Sequence, residues 1–275
     1  MFVNQAGPGV SRQCGVIGSP IAHSLSPALH RAAYQWLGLD WHYSRHEVTA
    51  LQTGQFVAGL DSTWRGLSVT MPCKKAIVEL GRPDPVVAAV GVGNTLVFHG
   101  LPRDMTTTTV HCTDVAGVQM VLADAGMDPQ ATIVIYGNGA TARSCVYAAY
   151  LMGVERVQVR ARDQEKTALL AQDAARWGIE VVSGESRPDV VISTVPASVA
   201  AEWGTGSAGL VFDVLYSPWP TPLASQAARQ GARVASGLDL LAAQAVTQVE
   251  LMTGRSVDFS VLRTAADQAI AARSQ

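Results

Sequence analysis

The segment Ala131–Arg143, ATIVIYGNGATAR, combines a strand pattern with a glycine turn that can bind a phosphate group. Residues Ile133–Tyr136 are apolar and mostly β-branched, which predicts a buried parallel strand. Gly137, Gly139 and Ala142 then match the G-x-G-x-x-G/A spacing of a turn that holds a dinucleotide pyrophosphate. The first glycine allows the tight turn, the second lets the backbone approach the phosphates, and the small third residue keeps the helix close to the sheet. Free N–H groups at the helix N-terminus face the anion.

An apolar helix of small residues follows this turn, so strand, turn and helix come in the order that a dinucleotide-binding domain requires. From the pattern alone, a glycine turn in another kind of α/β protein stays an alternative interpretation. The candidate cofactor-binding residues of the turn are Gly137, Asn138, Gly139, Ala140, Thr141 and Ala142.

The end of the next predicted strand bears on which dinucleotide would bind. NAD-binding domains carry an acidic side chain about 20 residues past the glycines, which takes the ribose 2′-hydroxyl. Here the strand ends in Arg160, Ala161 and Arg162, and the first acid is Asp163. Guanidinium groups match a 2′-phosphate, which a carboxylate would repel. The pattern favours NADP over NAD; Asp163 weakens the argument, and ordinary solvated arginines are the alternative.

Composition excludes several classes of protein. The chain has 275 residues, 48% hydrophobic and 15% charged, which suits one large or two medium domains with a substantial core. A net charge of −2 offers no basic surface for nucleic acid or membranes. No apolar run reaches the roughly 18 residues of a spanning helix, and the six histidines form no metal-ligand pattern. We expect a protein without a metal site.

The cysteines and the first residues indicate a compartment. The four cysteines are scattered singly, which is typical of free thiols in a reducing cytoplasm. The opening MFVNQAGPGVSRQ is too polar for a secretory signal and is expected to be a loose tail. We therefore expect a cytoplasmic protein.

The two halves of the chain differ in their element pattern. In the first half the pattern predicts strands at Cys14–Gly18, Trp41–Val48, Gly66–Thr70, Asn94–Phe98 and Thr107–His111. It predicts helices at Pro27–Leu37, Leu51–Leu60 and Lys74–Leu80, with Ser26 as the N-cap ahead of Pro27. In the second half the predicted strands are Ala131–Tyr136, Arg156–Ala161, Glu180–Ser183, Val190–Thr194, Leu210–Val214 and Arg233–Ala235. Helices lie between them, notably Arg143–Met152 and Lys166–Trp177, and two more follow the last strand, Asp239–Met252 and Ser260–Ala272. Strands and helices therefore alternate. This alternation is typical of a Rossmann-type, doubly wound parallel sheet.

Six segments, in order, resemble the motifs of the shikimate dehydrogenase family. They are IGSPIAHSLSPALH at 17–30, LSVTMPCK at 67–74, GVGNT at 91–95, the pair Thr113-Asp114, DVLYSPWPTPL at 213–223 and GLDLLAAQA at 237–245. The resemblance covers nearly the whole chain. It implies an N-terminal α/β substrate-binding domain (residues 1–113, joined by C-terminal helices 239–275) and an NADP-binding Rossmann domain (residues 114–238), with the site in a cleft between them.

The resemblance also implies an activity, the NADPH-dependent reversible reduction of 3-dehydroshikimate to shikimate, a small-molecule reaction of chorismate and aromatic amino-acid biosynthesis. It makes Lys74 the acid/base at the carbonyl–alcohol centre and Asp114 its partner. The substrate-binding residues that it assigns are Ser24, Ser26, Thr70, Asn94, Tyr216 and Gln244. To the cofactor-binding set it adds Gly237. The protein is expected to be a monomer or a homodimer.

Several of these residues also have a plain structural interpretation. Ser26 can be only an N-cap, and Asp114 can cap a helix that starts at Val115. Lys74 can belong to a solvated helix start, although a cation is unfavourable at a helix N-terminus. Tyr216 can be a loop aromatic without a role in binding.

The chain also departs from the family's motifs. Ser68 and Cys112 each stand where the family usually has Asn, Asn138 stands where Ala is common, and R-A-R stands where N-R-T or N-R-S is frequent. Cys112 leaves the substrate open, so a quinate or aminoshikimate dehydrogenase is the alternative within the family. An idle nucleotide-binding paralogue and a Rossmann interaction module are the alternatives outside it, and the latter leaves the serine and lysine motifs unexplained.

Overall fold

The computed structural model describes residues 11–182, 184 and 187–273. Most of the expected N-terminal tail, and Ser183 at the end of one expected strand, lie outside these residues. The chain divides into two compact units: the first runs through Thr113 and resumes at Ala245, and the second is Asp114–Gln244.

The first unit is built on a mixed sheet. Its elements are β1 (Arg12–Gly18), α1 (Ser26–Leu37), β2 (Trp41–Glu47), α2 (Thr53–Ala58), β3 (Trp64–Val69), β4 (Arg82–Pro83), α3 (Pro85–Val90), β5 (Thr95–Phe98) and β6 (Thr108–His111), with 3₁₀ helices at Ala50–Gln52 and Ala76–Leu80. In the described residues the strand order is β2-β1-β3-β5-β6-β4. Strand β1 is parallel to β2 and β3, whereas β5 is antiparallel to β3 and to β6.

This topology brings four chain segments to one edge of the sheet. Because β1 and β3 are parallel neighbours, their carboxyl ends meet there. Strand β5 runs in the opposite direction, so its start lies beside the end of β3, with Ser68 paired to Thr95. The end of β6 follows in turn, with His111 paired to Thr95. The residues after β1, β3 and β6 and before β5 therefore gather along one edge.

The second unit is a parallel α/β layer structure. The elements from its first residue to the end of the chain are α4 (Thr113–Asp124), β7 (Ile133–Tyr136), α5 (Ala140–Leu151), β8 (Arg156–Arg160), α6 (Gln164–Trp177), β9 (Glu180–Val182), β10 (Val190–Ser193), α7 (Ala197–Trp203), β11 (Leu210–Asp213), α8 (Pro222–Arg229), β12 (Arg233–Ser236), α9 (Gly237–Thr253) and α10 (Phe259–Ala271). Helix α10 belongs to the first unit, and α9 crosses from the second unit into the first.

Strand order confirms the predicted fold class of the second unit. The described strands lie in the order β12-β11-β10-β7-β8-β9, and all of them are parallel. This is the doubly wound Rossmann order, in which successive strands are added first on one side of β7 and then on the other. Every residue of β7, β10 and β11 is buried, as expected for strands covered on both faces.

Two helix starts differ from the sequence prediction. Helix α1 begins at Ser26 itself, and its N-cap is Leu25, which makes no side-chain cap bond. The prediction that Ser26 is the N-cap was wrong, because the hydroxyl that accepts a main-chain N–H is that of Ser24, 3.3 Å from Ser26 N. Helix α4 begins at Thr113, so Asp114 lies inside its first turn and does not cap a helix starting at Val115.

The core of the first unit contains an ionisable side chain. His30 of α1 is fully buried and stacks on the ring of Tyr43 with 4.1 Å between ring centroids. Its Nε2 lies 3.2 Å from Gln248 Oε1. Burial lowers the pKa of His30 from 6.5 to about 4, so the ring is neutral at physiological pH.

We expect His30 to make the stability of the protein depend on pH. The folded pKa is depressed, so the contribution is fully present above the unfolded value of 6.5 and is lost as pH falls towards about 4. Between pH 7 and pH 5 the free energy of unfolding should fall by on the order of 2 kcal/mol more in the wild type than in His30→Gln. Urea unfolding of both proteins at the two pH values measures this difference. Equal pH dependence in the two proteins would contradict the assignment.

Candidate active site

The loop after β1 carries two serine side chains of the predicted site. Ser24 N donates to Ile21 O at 2.9 Å, and Ser26 N donates to Ser24 Oγ at 3.3 Å. Arg273, beyond α10, donates from its guanidinium to the carbonyls of His23 at 2.9 Å and Ser24 at 3.2 Å. Arg273 was not among the sequence candidates. It ties the C-terminal end of the first unit to the serine loop.

The turn after β3 carries Thr70 and Lys74. Thr70 N donates to Ile17 O at 2.9 Å, and Cys73 N donates to Thr70 O at the same distance. Gly93 N donates to Lys74 O at 2.9 Å. The main chain around Lys74 is therefore held from both sides, while its side chain is half-buried. Lys74 lies in the turn before the 3₁₀ helix and not inside a helical segment.

Gly18 permits the close approach of these two segments. A Cβ at this position would overlap Thr70 Cγ2 and lie 2.9 Å from Met71 O. Next to it, Ser19 N donates to Met71 O at 3.0 Å. A glycine at the end of β1 thus lets the serine loop and the lysine turn lie side by side.

Asn94 is buried just before β5, with its main chain and its side chain both bonded. Its Oδ1 accepts from Thr113 N at 2.8 Å and from the Thr95 hydroxyl at 3.0 Å, and its Nδ2 lies 3.0 Å from Thr113 Oγ1. Asn94 O accepts from Val69 N at 2.7 Å, and Asn94 N donates to His111 O at 2.9 Å. The first unit therefore brings Ser24, Ser26, Thr70, Lys74 and Asn94 to one edge of its sheet.

Asp114 and Gln244 belong to the second unit. Asp114 is buried in the first turn of α4. The pKa of the Cys145 thiol is raised mainly by the burial of that thiol and further by the nearby Asp114 carboxylate. Gly117, one turn further along α4, lies against α9, since a Cβ there would be 3.0 Å from Gln244 N. The half-buried Gln244 therefore lies beside the start of α4.

Tyr216 lies half-buried in the loop after β11. The buried Asp213 accepts from the Thr221 hydroxyl at 2.7 Å and from Leu215 N at 3.3 Å, while burial raises the pKa of its carboxyl. Gly237 N donates to Leu215 O at 3.0 Å. These bonds attach the loop at both ends.

Gly237 cannot carry a side chain in this arrangement. A Cβ at this position would overlap Val214 O. The requirement for glycine comes from contact with the protein's own backbone. Its predicted contact with the cofactor stays a prediction.

In the glycine turn of the second unit, Gly137 and Gly139 differ in why glycine is needed. Gly137 has φ +107°, and a Cβ there would overlap Thr194 Oγ1, so this position needs glycine for both conformation and space. Gly139 is exposed and precedes α5 with φ −80°, and a Cβ there would meet only open space. No side chain caps α5, while the buried Ala142 packs into the interior. The open space above this helix start fits a pyrophosphate.

Asn138 braces the turn against the next helix. Its Nδ2 donates to Asp163 O at 2.7 Å and to Thr167 Oγ1 at 3.1 Å. These bonds give the departure at position 138 a structural role. The neighbouring Ala140 and Thr141 form the first residues of α5.

Three cationic side chains lie at and beyond the end of β8. The Arg160 guanidinium stacks 5.1 Å from the Trp203 ring centroid, and Arg162 pairs with Glu202 at 3.4 Å. Lys166, which sequence reasoning missed, pairs with Asp163 at 2.9 Å. Arg162 and Lys166 are mostly exposed, and such pairs are weak, so both cations can turn to a phosphate. Their chemistry fits the 2′-phosphate of NADP.

Metal-binding clusters and membrane-spanning helices do not occur in the part of the chain that the structure describes. It holds no group of three or more His, Cys, Asp or Glu side chains that could hold a metal ion. Within the same residues, no helix is long and apolar enough to span a membrane.

The fold and the grouped side chains define a class, a dinucleotide-dependent oxidoreductase made of two α/β units. A family model described as the shikimate dehydrogenase substrate binding domain matches residues 16–96. The chain is 32% identical to the shikimate dehydrogenase (NADP(+)) of Natronomonas pharaonis, over 91% of this chain and 97% of that protein. It is 33% identical to that of a Geobacter species, over 90% of this chain and 91% of that protein. This chain belongs to the shikimate dehydrogenase family.

Solved structures confirm the predicted family and fold. The shikimate dehydrogenase of Mycobacterium tuberculosis superposes with a TM-score of 0.84 at 36% identity, covering 94% of this chain and 99% of that chain. The enzyme of Thermus thermophilus, in complex with NADP(H) and shikimate, gives a TM-score of 0.82 at 25% identity with the same coverage of both chains.

The two turn glycines should respond differently to alanine. Gly139→Ala fits the fold, but its methyl group takes the space of the pyrophosphate, so we expect an unchanged Tm and a KM for NADP⁺ raised at least about tenfold. Gly137→Ala is strained and overlaps Thr194, so we expect a lower Tm. Thermal melts without cofactor and steady-state kinetics measure both effects. An unchanged KM for NADP⁺ in Gly139→Ala would show that the cofactor binds elsewhere.

Proposed function

We propose that this chain catalyses the NADPH-dependent reversible reduction of 3-dehydroshikimate to shikimate, in chorismate and aromatic amino-acid biosynthesis. One observation carries the proposal: Lys74 is held by main-chain bonds at the sheet edge that also holds Ser24, Ser26, Thr70 and Asn94. This arrangement supports Lys74 as a proton-transfer group among neutral side chains that suit a polyhydroxy acid. The named relatives are NADP(+)-dependent shikimate dehydrogenases, which supports the same reaction.

The two units divide the work in this proposal. The first unit, with the C-terminal helical segment from Ala245, is the substrate-binding domain, and Asp114–Gln244 is the NADP-binding domain. In the described residues Cys14, Cys73, Cys112 and Cys145 are buried and form no disulfide, which supports a reducing cytoplasm as the location.

Lys74 and Asp114 are the proposed proton-transfer pair. When bound, NADPH supplies a hydride to the ring carbonyl carbon. The Lys74 ammonium gives a proton to the carbonyl oxygen as negative charge develops there, and in the reverse direction the neutral amine accepts the hydroxyl proton. In this proposal Asp114 is the partner that orients the Lys74 ammonium and shares in the proton relay.

Neutral side chains bind the substrate. Hydroxyls from Ser24, Ser26 and Tyr216 donate to the substrate carboxylate. These hydrogen bonds are strong because the acceptor is charged. Thr70, Asn94 and Gln244 donate to or accept from the ring hydroxyls. Because Asn94 is buried and bonded on both sides, it is pre-organised for this task.

Cations and glycine hold the cofactor. The start of α5 takes the pyrophosphate over Gly139, and the 2′-phosphate lies with Arg162 and the neighbouring Lys166. Arg160 contributes charge from its place on Trp203. The end of β8 carries no acid before Asp163, so the repulsion that an NAD-type carboxylate would exert on that phosphate is absent there.

Two of the motif departures are buried side chains. Ser68 is buried and bonded to Tyr43 and Gln248 in the core, and Cys112 is also buried. Both replacements therefore change side chains that pack inside the protein.

The four combinations of shikimate or quinate with NADP⁺ or NAD⁺ test the proposed activity. We expect the highest kcat/KM with shikimate and NADP⁺, since the β8 end carries cations where an NAD site carries an acid. The rate of absorbance change of the reduced nicotinamide measures each combination. Faster turnover of quinate with NAD⁺ would overturn the assignment.

The adjacent lysines provide a matched pair of variants. Lys74→Met removes the proton-transfer group, so we expect kcat to fall about 10²–10⁴-fold. Lys75 is exposed on the same turn, and Lys75→Met should stay within about twofold of the wild type. Steady-state kinetics and thermal melts of both variants provide the comparison. Equal activity of Lys74→Met and the wild type would exclude Lys74 from catalysis.

A further inference from the structure

Gln248 of α9 lies in the core of the first unit and makes four hydrogen bonds. It is 3% exposed. Its Oε1 accepts from the Ser68 hydroxyl at 2.7 Å and from His30 Nε2 at 3.2 Å. Its Nε2 donates to Thr95 Oγ1 at 3.1 Å and to Asn94 O at 3.4 Å. One amide thus joins α1, β3 and β5 beneath the sheet edge that carries the proposed site.

Two main-chain groups decide which way the amides in this network face. Asn94 O can only accept, so the end of the Gln248 amide beside it must be the NH₂ group. Thr113 N can only donate, so the Asn94 atom 2.8 Å away must be Oδ1. Assignment of both amides therefore follows from the network and needs no ligand.

The Thr95 hydroxyl connects the two amides. It has one proton, and because its oxygen accepts from Gln248 Nε2, that proton points to Asn94 Oδ1 at 3.0 Å. Asn94 Oδ1 then accepts from both Thr113 and Thr95, which fixes the amide plane. A substrate group that approaches Asn94 from its Nδ2 side, which also donates to Thr113 Oγ1, therefore meets a hydrogen-bond donor.

The far end of the network is equally ordered. The Tyr43 hydroxyl donates to Ser68 Oγ at 2.6 Å, and the Tyr43 ring stacks on His30. Since Gln248 Oε1 only accepts, the proton of neutral His30 lies on Nε2. All these side chains are buried, so every member removed leaves a buried partner unsatisfied.

We propose that Gln248 is a positioning residue which, through the Thr95 hydroxyl, fixes the plane of the Asn94 amide that meets a ring hydroxyl of the substrate. This inference rests on the proposed function. A core built for stability alone needs no such series of hydrogen bonds, because each buried polar group has a desolvation cost that an apolar side chain avoids. This series of hydrogen bonds leads to Asn94, which lies on the sheet edge that carries Lys74.

Isosteric variants at position 95 test the proposal. Thr95→Val removes only the bridging hydroxyl, so we expect the KM for shikimate to rise about tenfold. The KM for NADP⁺ should stay within about twofold. Thr95→Ser keeps the hydroxyl and should restore wild-type KM values. Gln248→Met, similar in length but without the amide, should raise the KM for shikimate in the same direction and serves where Thr95→Val does not fold.

Tyr43→Phe is the control for a purely structural network. It removes a buried hydroxyl from the same network but at the end remote from Asn94, so we expect a lower Tm with an unchanged KM for shikimate. If Thr95→Val lowers Tm and leaves the KM for shikimate unchanged, the positioning role is overturned and the proposed function stands. If the wild type fails to oxidise shikimate with either cofactor, the proposed function is overturned and the positioning role with it.

Discussion

The proposed site of the first unit depends on the close contact between the ends of β1 and β3. Thr70 N donates to Ile17 O across these strands, and Gly18 leaves room for the Thr70 side chain where a Cβ would overlap it. Without this contact, the serine loop and the lysine turn would lie on separate segments with no common surface. The antiparallel β5 then adds Asn94 to the same edge, because its start must lie beside the end of β3.

The chemistry at this edge is mostly neutral, with Lys74 as its candidate proton donor. Hydroxyl and amide groups can hold a polyhydroxy acid without shifting the charge of a nearby lysine, whereas extra cations or carboxylates would alter its pKa. The cost of using neutral groups is that each must be oriented correctly, since a hydroxyl or amide donates in one direction and accepts in another. The buried bonds around Asn94 meet that requirement inside the first unit.

Sequence patterns predicted most elements well but failed at several ends. The buried strand Ile133–Tyr136 and the glycine turn behind it came from periodicity and spacing, which are local properties. The short helices α3, α7 and α8 were not specified, because six to eight residues provide too little periodicity. Ser26 was wrongly assigned as the N-cap because α1 begins at Ser26 itself, after Leu25, and the residue at which the helix begins depends on the path of the loop.

The sequence by itself determined the family, the Rossmann domain, the preference for NADP and the identity of the candidate site residues, since these follow from residue types at fixed spacing. The roles of those residues and the domain limits stay predictions. Only the tertiary structure decided which side chains support them. Gln248 contacts Asn94 across 154 positions of the chain, and Arg273 reaches Ser24 across 249. No local pattern records such pairs, because they form only when the sheet edge and the C-terminal helices pack into one unit.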